Sequence, residues 1–248
     1  MKEKKSLKFK IFLGFGVFLA VIVSAFFIYV SSYYKASSLA FNTLKSDSLV
    51  TVEENGDIIF SPVSKNKNIG FIFYPGGKVE ASAYAPLAKE VAAKGYTVVI
   101  AKMNFNLAVL SPNKADAIIN KYSDINTWVI GGHSLGGVMA ADYAFDHDKI
   151  KGLVLLASYP QSSKDLTSTQ LKVLSLWGSN DKVADLSKVK EAKNLVPKDS
   201  EFIEIKGGNH GGFGDYGHQQ GDGEASITNE QQIHEASNYI IKLLDSLK

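Results

Sequence analysis

Gly132-His133-Ser134-Leu135-Gly136 constrains this chain more than any other stretch. It follows a short apolar run, Trp128-Val129-Ile130, and leads into Val138-Met139-Ala140-Ala141. A buried strand that turns sharply at one residue and continues as a helix forms a nucleophile elbow. Such a turn strains the serine backbone and lifts its hydroxyl clear of the sheet. A Cβ at Gly132 or Gly136 would clash as the strand folds back into the helix, which is why glycine stands at both positions.

The rest of the sequence repeats the same alternation. Leu49–Val52 and Ile58–Phe60 flank Asn55-Gly56, which predicts a hairpin with a type I′ turn. Strands are then expected at 69–74, 96–101, 127–130, 152–157, 171–177 and 201–205. Helices are expected at 81–94, 113–121, after Ser134, at 186–195 and at 229–247. An antiparallel start followed by repeated βα units implies an α/β fold, a mostly parallel central sheet with helices on both faces. The connection between the 152–157 and 171–177 strands is short, about a dozen residues. That leaves no room for a large cap domain and predicts an open site.

Composition adds boundaries. The 248 residues are 45% apolar and 21% charged, enough for one sizeable core. The net charge of +2 conceals a +4 excess in the first ten residues, so the remainder carries about −2 and suggests no nucleic-acid partner. There is no arginine, so no guanidinium fork can clamp a strongly anionic substrate. There is no cysteine, which excludes disulfides, thiolate metal sites and a cysteine nucleophile.

Ile11 to Val30 holds no charge and is long enough to cross a bilayer as a helix. With the lysines ahead of it, it reads as a single-pass signal anchor whose basic tail, residues 1–10, stays in the cytoplasm. Residues 31–48 read as a polar, Ser-rich stalk and 49–248 as the main domain, outside the cytoplasm at the cell membrane. A cleaved signal peptide, cut near Ser38-Leu39-Ala40, is the competing reading. Oligomeric state stays open.

A serine hydroxyl needs a neighbouring base. Of five histidines, His210 sits among glycines just past the strand ending at Ile205, and it comes last in the chain order serine, acid, histidine. Asp181 follows a strand into a turn at the same sheet edge, while its rival Asp185 is placed to cap the next helix. Two amides should face the developing oxyanion: Leu135 N–H, at a helix N-terminus, and Gly77 N–H in the turn Tyr74-Pro75-Gly76-Gly77-Lys78, with Lys78 as the alternative. The Phe213–Gly223 loop, with Asp215 and Asp222, lacks the alternation of a calcium loop and reads as a brace for His210.

The segments Tyr74-Pro75-Gly76-Gly77-Lys78-Val79-Glu80, Gly131–Gly137, Gly178-Ser179-Asn180-Asp181, Gly207-Gly208-Asn209-His210 and Phe213–Gly223 resemble those of the α/β-hydrolases, in particular the small bacterial fold-5 group. The likeness spans roughly 49 to 247 and implies Ser134, Asp181 and His210 as a catalytic triad, with no metal or organic cofactor. The reading that follows is a membrane-anchored serine hydrolase acting on a small-molecule carboxylic ester, lactone or thioester. An acyltransferase or amidase with the same triad, or a non-catalytic hydrolase-like binding protein, are the alternatives; the fold itself hosts many chemistries.

Overall fold

A computed structural model describes residues 7–64 and 66–247, and side chains from residue 9 onward. Most of the basic tail expected at 1–10 lies outside the described residues. The chain divides into two compact units, Met1–Tyr33 and Tyr34–Lys248. The first is helix α1 (Leu7–Ser31). By length and composition its segment Phe9–Ser31 is apolar enough to cross a membrane.

The second unit starts earlier than the expected boundary at 49. Tyr34 pairs with Val79 in a parallel bridge: its N–H donates to Lys78 O (2.8 Å) and its carbonyl accepts from Glu80 N–H (2.9 Å). Ala36 N–H donates to the Glu80 carboxylate (3.0 Å) and Ala40 N–H to that of Asp215 (2.8 Å). Helix α2 (Ser38–Thr43) includes Ser38-Leu39-Ala40, and Ala40 is wholly buried. Residues 34–43 therefore pack into the domain rather than standing off as a stalk. Apart from Tyr34, whose ring lies 5.6 Å from that of Tyr216, the buried side chains here are the small Ala36 and Ala40 and the bonds use main-chain amides, so a Ser-rich composition hides them.

Next come β1 (Val50–Asn55), β2 (Asp57–Pro62), β3 (Ile69–Tyr74), α3 (Ala85–Ala92), β4 (Thr97–Ile100), α4 (Lys114–Lys121) and β5 (Thr127–His133). They are followed by α5 (Leu135–Asp146), β6 (Ile150–Leu156), β7 (Lys172–Gly178), α6 (Leu186–Glu191), β8 (Glu201–Ile205) and α7 (Asn229–Asp245). The single sheet runs β1-β2-β4-β3-β5-β6-β7-β8; β1, β2 and β4 pair antiparallel, and the rest are parallel. Chain order reverses between β3 and β5. In an open α/β sheet that reversal opens a crevice at the carboxyl ends of the strands.

The core lies on both sheet faces. Phe71 and Phe73 of β3 point to one face, with Leu87 and Val91 of α3 and Ile240 and Leu244 of α7. Ile72 and Tyr74 point to the other, with Ile118 of α4 and Ala140 and Ala141 of α5. Every residue of β3 is buried, as expected for a strand covered on both sides. Between β6 and β7, residues 157–171 contain neither helix nor strand, so no cap domain is inserted there.

Two local expectations change. The expected 81–94 helix is a 3₁₀ turn, Ala81–Tyr84, followed by α3, because Pro86 suits only the first turn of an α-helix. At the hairpin Gly56 is left-handed (φ 78°) but Asn55 is not, and Asn55 pairs with Asp57. The reversal therefore rests on Gly56 alone instead of a type I′ turn, which needs positive φ at both central residues.

Candidate active site

Ser134 joins β5 to α5 with φ 51° and ψ −124°, a conformation that costs a non-glycine residue on the order of 1–3 kcal/mol. Neighbouring strands hold it there. Its N–H donates to Leu156 O (2.9 Å), and its carbonyl accepts from Gly137 N–H (3.0 Å) and the Ser158 hydroxyl (2.8 Å). A Cβ on Gly136 would fall on the carbonyl oxygens of Tyr74 and Pro75, so the helix start lies directly on the end of β3. The left-handed serine and the tight helix start are the two features of the predicted elbow.

His210 and Asp181 reach the same rim from β8 and β7. Asn180 N–H donates to Gly208 O (2.8 Å) and Ser179 N–H to Ile205 O (3.0 Å), lacing the two loops together. Asp181 Oδ2 lies 2.9 Å from His210 Nδ1, and both side chains are almost fully buried. Its Oδ1 accepts from Val183 N–H and Ala184 N–H, each at 2.8 Å. Asp181 is thus a turn-forming residue and the partner of His210 at once. A carboxylate acceptor places the neutral ring's proton on Nδ1 and leaves the Nε2 lone pair free. Nε2 is buried with no hydrogen-bond partner, so the Ser134 hydroxyl does not bond to it here. Asp185 caps α6, accepting from Ser187 N–H and Lys188 N–H.

The two residues expected to supply the amides are neighbours in space. A Cβ on Gly77 would stand 3.1 Å from the Leu135 side chain. Neither Gly77 N–H nor Leu135 N–H meets an acceptor among the described residues. The alternative donor, Lys78 N–H, is spent on Asn106 O at 2.7 Å. Gly76–Val79 forms a turn closed by Val79 N–H to Gly76 O (3.1 Å), with Lys78 left-handed at φ 59°. Positive φ at the third residue marks a type II turn.

Asp222 fixes the histidine loop. Its carboxylate accepts from Gly211 N–H (2.8 Å), Gly223 N–H (2.8 Å), His210 N–H (3.2 Å) and Lys182 N–H (3.3 Å). One side chain thereby gathers the turn after Asp181 and the main chain of His210. Its oxygens are taken up by main-chain donors, the arrangement of a brace. Asp215 turns the other way, to Ala40. Removing the brace by Asp222→Ala is expected to lower turnover by about 10- to 100-fold, because a misplaced group can cost on the order of 10². Steady-state kinetics beside a thermal melt will check this.

Two contributors escaped the sequence reading. Gln232 on α7 is 1% exposed and clamps Asn209, accepting its N–H (3.0 Å) and donating to its carbonyl (2.8 Å). Tyr84 places its hydroxyl 2.8 Å from His133 Nδ1. A glutamine on an amphipathic helix and a tyrosine in a short 3₁₀ turn carry no local sign of such roles.

Comparison with known proteins agrees with this architecture. No curated protein matches. Among solved structures, the esterase domain of a Rhodothermus marinus protein superposes with a TM-score of 0.58 at 11% identity, covering 78% of this chain and 96% of that one. A predicted CIB-like hydrolase from Thermoplasma acidophilum superposes at 0.56 with 17% identity, covering 78% and 99%. At such identities the likeness speaks to the fold. The family model described as "Alpha/beta hydrolase family" matches residues 70–234, well over half of the sequence and inclusive of the elbow and both loops beside it. This chain belongs to the alpha/beta hydrolase family.

Proposed function

We propose that this protein is a serine hydrolase that cleaves a small carboxylic ester through an acyl-enzyme on Ser134. The observation that carries the reading is the buried His210–Asp181 pair, whose unspent Nε2 stands at the sheet edge of a left-handed serine. Rotation of the Ser134 side chain brings its hydroxyl to Nε2 when substrate binds; such bonds often tighten only in the substrate complex.

In this reading Ser134 Oγ attacks the carbonyl carbon as its proton passes to His210 Nε2. Asp181 holds Nδ1–H and stabilises the imidazolium. The oxyanion receives the N–H groups of Gly77 and Leu135, the latter at the N-terminus of α5. The carbonyl re-forms, the C–O bond to the leaving group breaks, and the departing alkoxide takes the proton from Nε2. Water then loses a proton to Nε2, attacks the acyl carbon and frees the acid and Ser134.

The same reading places α1 as an uncleaved anchor of residues 11–30, with the domain outside the cytoplasm. The uncapped connection after β6 supports an open site without interfacial activation. The test is labelling of purified protein with a fluorophosphonate, followed by hydrolysis of p-nitrophenyl esters of increasing chain length. Labelling at Ser134 that is lost on unfolding, together with smooth saturation kinetics on short esters, is expected. No labelling of folded protein would refute the reading.

A further inference from the structure

The proposed chemistry leaves the buried side chain of His133 beside it unused. His133 is 1% exposed, and its ring centroid lies 4.5 Å from that of His210. Its Nδ1 is 2.8 Å from the hydroxyl of Tyr84, itself wholly buried. The same hydroxyl accepts Gly76 N–H at 3.0 Å. Among the described residues the Tyr84 hydroxyl proton has no other acceptor, so it goes to His133 Nδ1, and the ring proton sits on Nε2. Nε2 is buried without a hydrogen-bond partner among the described residues. Burial holds the His133 pKa well below the usual histidine range, and the adjacent His210 pushes the same way, so the ring remains the neutral acceptor this arrangement needs.

The three groups leave no slack. A Cβ on Gly76 would stand 2.8 Å from both His133 Nδ1 and the Tyr84 hydroxyl. Gly76 is also the first residue of the turn that presents Gly77 N–H. At its far end the turn is held by Lys78 N–H on Asn106 O and by Tyr34. At its near end the Gly76 amide is held by Tyr84.

We propose that Tyr84 and His133 are positioning residues: through Gly76 N–H they fix the orientation of the turn that offers Gly77 N–H to the oxyanion. The proposal rests on the reading of Ser134 and Gly77 given above. Tyr84 acts on Gly76, and His133, one residue before the nucleophile, orients Tyr84, so the turn and the elbow are set against each other. Glycine has low rotational barriers, so a released Gly76 lets the next amide swing away. Losing one oxyanion donor costs about 10²–10³ in turnover. With the far end still tied, a partial effect of about 10- to 100-fold is expected.

The test uses the full chain purified in detergent, with active sites titrated by a fluorophosphonate so that misfolded molecules are not counted. The variants are Tyr84→Phe, His133→Leu and His133→Asn. Tyr84→Phe and His133→Leu should each lower kcat per titrated site by about 10- to 100-fold on p-nitrophenyl acetate, with KM within about threefold. Affinity for a boronic acid, a tetrahedral transition-state mimic, should weaken in proportion to kcat. His133→Asn, whose amide oxygen can take the place of Nδ1, should keep kcat within about threefold of wild type. The proposal is overturned if kcat per site is unchanged in the first two variants, if their loss appears only as fewer titratable sites or a lower Tm, or if asparagine rescues no better than leucine. Should Tyr84→Phe not fold, the comparison of asparagine with leucine at 133 decides. Wild-type protein that does not titrate refutes the hydrolase reading itself, which separates the two failures.

Discussion

Ser134→Ala is expected to lower turnover of a short ester by about 10⁵-fold or more, since removing the nucleophile of a cooperating triad costs about as much as removing the whole set. The fold should persist. Alanine has the same Cβ, so the left-handed backbone at φ 51° is kept, and the bonds that hold it run through main-chain atoms and Ser158. No acyl-enzyme can form. Single-turnover kinetics with intact-mass analysis will check both points, an absent acyl adduct and a thermal melt close to wild type. A variant retaining a tenth of the activity would exclude Ser134 as the attacking group.

Asp181→Asn should be nearly as severe, about 10³–10⁴-fold in kcat, for a different reason. The asparagine carbonyl can still accept from Val183 N–H and Ala184 N–H, so the turn survives. Its amide, however, presents N–H groups to His210 Nδ1, where a proton already sits. The ring must adopt the other tautomer, which fills the Nε2 lone pair that the proposed mechanism uses to accept the serine proton. The measurement is kcat at constant active-site titre, with Tm recorded in parallel. Near-normal kcat would show that Asp181 serves only its turn.

Much of this was legible because buried parallel strands carry near-continuous apolar runs. Ile69–Tyr74 and Gly152–Leu156 announce themselves, and the glycines around Ser134 mark where a strand must meet a helix. Strand order then carries Asp181 and His210 to one edge, and the structure joins that pair directly. What stayed hidden depends on contacts between distant segments. Gln232 and Tyr84 are defined by what they touch, not by their neighbours in sequence. Residues 34–43 read as a spacer because, Tyr34 apart, their attachment uses amides and small side chains. Phe105 (φ 53°) and Asn106 (φ 55°) are both left-handed beside Lys78, yet only asparagine hints at such a backbone. Pro86 is tolerated only in the first turn of a helix, so it sets the start of α3 and divides the 81–94 segment.

The docking of Tyr34 on Lys78 and Glu80 has a mechanical consequence. Any pull delivered through the N-terminal segment arrives first at the turn bearing Gly77, without crossing the hydrophobic interior. A protease that releases the domain must cut ahead of Tyr34 to leave that rung in place. A chain beginning after Thr43 would keep every residue of the sheet and still lack the outer support of the Gly76–Val79 turn.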